Sequence, residues 1–241
     1  MSKSTIIQGI QFLSIELKKL GFCENINQLD EAIKSIQTAK PNQPWSYSIK
    51  DFPIFITGTS RNAIPTLESM TLYLSISFKE KPKNKDANTV SELIVESSFS
   101  LLIQGKKKDE EKYYYSGWHL DNDSSGTEFI HPQYHISFGG IDFKKRIGEN
   151  TNNLLLLKSP RLPHPPLDVI LSIDYILKHF IENDRHKELT ESVSYQTYIK
   201  NSQRRIWQPY YTAIAKHWCP GCNLTVENQT ENILYLPQLI K

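Results

Sequence analysis

Two segments close in sequence concentrate side chains able to do chemistry: Trp118-His119-Leu120-Asp121, and His131-Pro132-Gln133-Tyr134-His135-Ile136-Ser137-Phe138-Gly139-Gly140. If Trp118 and Leu120 point into a core, strand alternation places His119 and Asp121 together on the opposite face. An inward Ile136 and Phe138 bring His135 to that face as well. Two imidazoles and a carboxylate on neighbouring strands suit a divalent transition metal, with His131 as a fourth ligand or a partner to one. Such a metal with an open position activates water for hydrolysis. The spacing matches no defined metalloenzyme motif, so the favoured expectation is a structural polar cluster and no established cofactor.

The same loop runs Asp121-Asn122-Asp123-Ser124-Ser125-Gly126 and partly matches a calcium loop, but Pro132 stands where the bidentate Glu is required. An acidic turn is the expectation. His217-Trp218-Cys219-Pro220-Gly221-Cys222 forms a second metal candidate through His217, Cys219 and Cys222. A closed zinc site would need another donor such as Cys23, and a turn with two reduced thiols is preferred.

Two further segments read as surfaces for a partner. Ser159-Pro160-Arg161-Leu162-Pro163-His164-Pro165-Pro166 is stiffened by its prolines and either presents Arg161 and His164 or fixes the entry of the following helix. Gln203-Arg204-Arg205-Ile206-Trp207-Gln208-Pro209-Tyr210-Tyr211 joins two guanidinium groups to three aromatics, the materials of phosphate contact and base stacking. Balance by Glu188 and Glu191 favours instead a helix packed through its aromatics, with Arg204 and Arg205 at the surface beside Trp207.

The elements that must position these groups follow from periodicity. Ile6, Ile10, Leu13 and Leu17 recur at helical spacing over residues 4–20, and Leu29, Ala32, Ile33 and Ile36 repeat the pattern over 28–38. An extended segment is expected over 49–57. Met70, Leu72, Leu74, Ile76 and Phe78 then alternate with polar residues, as do Leu93, Val95, Phe99, Leu101 and Ile103; Tyr113 to Asp121 returns across a charged turn. Further strands are expected at 133–139 and 152–157. Residues 167–181 are apolar on nearly every side, as in a buried helix, and carry the polar stripe Asp168, Ser172, Tyr175 and His179. A last helical region over 195–217 is kinked or split by Pro209. The expectation is one α+β domain over 1–241, an antiparallel β-meander flanked by N-terminal and C-terminal helices: helices over 1–40, sheet over 45–158, helices over 166–218 and a tail over 219–241.

With 28 Lys+Arg against 26 Asp+Glu, the 241-residue chain has no global field that selects nucleic acid or membrane. Gln8, Gln11 and Glu16 interrupt the first apolar run, so no signal-peptide core forms, and no stretch approaches a membrane span. A cytoplasmic protein is expected. Gly-rich phosphate loops, the G-x-S-x-G elbow and H-E-x-x-H are all missing from the sequence. Richness in Lys, Ile and Asn points to an AT-rich bacterial genome.

The order of helix, meander, His131-Pro132-Gln133 and a later apolar helix resembles the ubiquitin-conjugating fold. Gln133 replaces that family's Asn and no Cys follows before Cys219, so the resemblance implies an inactive relative used for binding. The combined pattern W-H-x-D, H-P-x-Y-H-x-x-x-G-G and S-P-R-x-P-H-P-P-x-D over 118–168 also resembles uncharacterised bacterial proteins of defence and mobile-element neighbourhoods. The resulting expectation is a non-enzymatic, protein-binding component of an intracellular bacterial multi-protein system, with antiphage defence as one setting and its partner encoded in the same operon. The alternative is a metal-dependent hydrolase acting on a nucleic acid or nucleotide through His119, Asp121, His131 and His135. Direct nucleic-acid binding is the less favoured partner reading.

Overall fold

The computed structural model describes residues 3–57, 67–81, 93–108, 113–123, 130–139, 143, 145, 160–218 and 235–237. Helices α1 (Lys3–Lys19) and α2 (Asn27–Thr38) precede strands β1 (Trp45–Thr57), β2 (Ser69–Glu80), β3 (Ile94–Lys106), β4 (Tyr113–Asn122), β5 (Tyr134–Phe138) and β6 (Leu162–Pro163). Helices α3 (Val169–Phe180), α4 (Asn183–Glu191), α5 (Val193–Ser202) and α6 (Gln208–Trp218) follow, with a π-helical turn at Gln203–Trp207 between the last two. The strands make one antiparallel sheet in the order β1-β2-β3-β4-β5-β6. The fold is the α+β meander flanked by helices that the alternation demands.

Period two decides which face the helices cover. Ile54, Leu72, Leu74, Phe78, Phe99, Leu101 and Leu120 are buried and join Ile10, Leu13, Leu17 of α1 and Ile170, Ile173, Leu177 of α3 in one core. Their neighbours along each strand form the other face. β1 begins at Trp45, earlier than the extended segment expected from 49, because Trp45, Tyr47 and Ile49 already alternate inward. It carries a bulge between Ile49 and Phe52, where Asp51 takes a left-handed φ of 51° and its backbone N–H donates to Ser75 Oγ at 2.9 Å. The bulge bends the strand and blunts this sheet edge against further pairing.

Pro209 does not break the last helix. Lacking an N–H, it removes one i to i−4 bond, and the preceding turn widens so that the Gln208 N–H donates to the Gln203 carbonyl five residues back. Helix α4 lies where no apolar stripe stands out; it buries His186 and Leu189, and Arg185 donates to the Thr57 carbonyl at 2.9 Å. The stretch read as a tail includes Tyr235, fully buried and stacked on Tyr210 with ring centroids 4.7 Å apart. The strand expected at 152–157 lies outside the described residues. No helix among them is long and apolar enough to cross a membrane.

Candidate functional site

Strand register brings the first candidate residues together as alternation requires. Asp121 pairs with His135 and His119 with Ser137, so all four belong to the face turned away from Leu120 and Ile136. Ser75, Ser100, His119 and Ser137 continue as one polar row across β2 to β5.

Their hydrogen bonds then divide them. His119 Nδ1 lies 3.2 Å from the Gly139 carbonyl, while Nε2 lies 2.8 Å from Ser137 Oγ and 3.3 Å from Asp121 Oδ2. His135 turns elsewhere: its Nδ1 donates to the Pro132 carbonyl at 2.8 Å and its ring meets that of His131 edge to face at 4.8 Å. Burial holds His135 below the ordinary imidazole pKa, against the pull of the Pro132 carbonyl and the Asp121 charge. The buried His131 ring approaches Asp123 at 3.5 Å. The four sequence candidates therefore form two neighbouring pairs, His119 with Asp121 and His135 with His131, and no three His, Cys, Asp or Glu side chains among the described residues gather as a metal-holding group. The alternative metal centre finds no ligand set there. His217 lies in the last turn of α6, its side chain lies outside the described residues together with Cys219 and Cys222, and Cys23 is buried.

The second cluster corrects one expectation. Arg205, read as a surface residue for a partner, points inward with a side chain only 7% exposed. Its guanidinium pairs with both Glu80 and Asp168 and lies 5.5 Å from the Phe78 ring centroid. The widened π turn supplies the reason, because it rotates Arg205 towards the sheet while Arg204 stays exposed. Asp168 caps α3 by accepting from the Leu171 N–H at 2.8 Å and accepts from Ser202 Oγ at 2.9 Å. Tyr47 Oη accepts from the Val169 N–H at 2.9 Å and ties β1 to the same helix start. Burial raises the Glu80 pKa, with the guanidinium opposing that rise. Sequence reasoning missed this triad because its members lie up to 125 residues apart.

The Pro-rich entry holds its neighbours in place. His135 and Ile136 pair with Pro163 and Leu162, and the Trp207 indole N–H donates to the Pro166 carbonyl at 3.0 Å. His164 Nδ1 donates to the Pro165 carbonyl at 2.7 Å, and burial lowers its pKa. Rings then run without a gap from Tyr175 to His164 at 6.1 Å, to Trp207 at 6.3 Å and to Tyr211 at 6.5 Å. His179 packs on Tyr175, so the stripe expected on the buried helix divides: Asp168 and Ser172 are buried, and Tyr175 and His179 emerge. Tyr211, the last of the three aromatics in the 203–211 segment, is 52% exposed at the outer side of this run. Arg161 lies partly exposed before β6.

Comparison with protein-family models, curated proteins and solved structures finds no match to this chain.

Proposed function

We propose that the protein works by binding another protein, through the aromatic surface formed by Tyr175, His164, Trp207 and Tyr211 with Arg204 beside it. The observation that carries this reading is the unbroken ring contact from a buried helix out to a half-exposed tyrosine. Tyr, Trp and Arg dominate interface energetics, and Tyr and Trp bury large area at small entropic cost. Here Trp207 is pre-ordered by its bond to Pro166, so little freedom is lost on docking. The Lys-, Ile- and Asn-rich composition and the 118–168 pattern support a component of an intracellular bacterial assembly, with antiphage defence as its setting and an operon neighbour as its partner.

The test is purification of the tagged full chain from its natural host. One co-purifying protein in fixed stoichiometry is expected, lost in an Arg204→Glu/Tyr211→Ser variant whose melting temperature is unchanged. A solitary protein, or the same partner recovered with the variant, contradicts the reading.

A further inference from the structure

We propose that Ser137 and His119 form a nucleophile and base that take an acyl group from a small activated carboxylic ester. The Gly139 carbonyl can only accept a hydrogen bond, so at 3.2 Å it assigns the proton of neutral His119 to Nδ1. The Nε2 lone pair is then left facing Ser137 Oγ at 2.8 Å, which is the tautomer a general base requires. Asp121 Oδ2, 3.3 Å from the same nitrogen, stabilises the imidazolium once the hydroxyl proton arrives. A nucleophile, a base and a group orienting the base thus occur in the required sequence, with a backbone carbonyl as the orienting group.

The strands make this arrangement stiff. His119 and Ser137 are directly opposite each other in the β4-β5 pair, and the Gly139 N–H returns to the Gly117 carbonyl at 2.8 Å, fixing the turn that carries the orienting carbonyl. Ser137 is 6% exposed, beneath a His119 side chain that is 24% exposed, so the pair lies just under the surface. Phe143 packs over Gly117, two residues before His119 on the same face, and provides an apolar wall for an acyl chain.

In the reaction Ser137 Oγ attacks the acyl carbon while its proton passes to His119 Nε2. The bond to the leaving alcohol breaks, and His119 returns that proton to the departing oxygen. Water, deprotonated by His119, then hydrolyses the Ser137 ester and restores the hydroxyl. The proposal is independent of the partner-binding reading, which concerns the helical surface.

A fluorophosphonate probe on the full-length protein, with the adduct located by peptide mass spectrometry, tests it. Labelling is expected at Ser137, absent in Ser137→Ala, at least about a hundredfold slower in His119→Ala and slower in Asp121→Asn, with a burst of product from p-nitrophenyl acetate in the wild type. Asp121→Asn changes a half-exposed side chain and decides the matter if His119→Ala does not fold. A folded wild-type protein left unlabelled at Ser137, or labelling equally fast in the folded base variants, overturns the assignment.

Discussion

Arg205→Met removes the guanidinium that Glu80 and Asp168 share while keeping much of the volume packed against Trp45 and Phe78. Asp168 is fully buried and Glu80 nearly so, which leaves two carboxylates without their common cation. Removing one partner of such a buried cluster costs about 3–5 kcal/mol. At roughly 2–4 °C per kcal/mol for a chain of this size, the melting temperature falls by roughly 6–20 °C. Urea titration at neutral pH and calorimetry measure the two quantities. The pH dependence has a defined sign: burial already raises Glu80, and loss of the opposing guanidinium raises it further. In the variant the folded state then binds a proton before the unfolded state does, so the deficit shrinks as pH falls into the raised Glu80 range. Adding Glu80→Gln should recover part of the loss at neutral pH. A deficit below about 1 kcal/mol, with no pH dependence, would show the pair to be no more than a surface ion pair and refute the reasoning.

Tyr195 Oη donates to Asp174 Oδ1 at 2.7 Å in the buried contact between α5 and α3, and Tyr195→Phe is expected to cost about 1.5–3 kcal/mol in urea unfolding. In α1 a Cβ at Gly9 would lie 2.7 Å from Ile170 Cδ1 and 3.2 Å from Tyr198 Cδ1. Overpacking of about 1–3 kcal/mol outweighs the roughly 1 kcal/mol gained in helix propensity, so Gly9→Ala should lower stability; a gain would mean that α1 packs more loosely. His135 and His164 have pKa values lowered by burial, so their contribution is present above the unfolded histidine value, about 6.5, and is lost as pH falls towards their folded values. A His135→Gln/His164→Gln variant should flatten the fall in stability across that interval.

Local signals carried much of the architecture. The i, i+3, i+4 spacing of Ile6, Ile10, Leu13 and Leu17 and the period-two run on β2 each admit one element type and one buried face. On β3 the expected face fails at its start, where a register shift opposite Lys79 and Glu80 buries Ile94 and leaves Val95 exposed. The same alternation placed His119, Asp121 and His135 on one face, and it reaches Ser137 two residues beyond His135. Side-chain direction was not legible: His135 turns to a carbonyl three residues back, which separates it from His119. Arg205 was misread because nothing in the sequence around it marks a buried cation, whereas its partners, Glu80 and Asp168, come from the end of β2 and the start of α3. The short helix α4 escaped notice because a few buried side chains leave little periodic trace.

Partner binding at the aromatic surface is tested most directly by placing a photo-crosslinking amino acid at position 211, and in a parallel protein at position 15. Tyr211 is 52% exposed with its ring against Trp207, whereas Ile15 is 62% exposed on α1. Irradiation in the natural host should give one defined adduct from position 211 and none from position 15. No adduct from position 211, or the same adduct from both positions, would contradict the account.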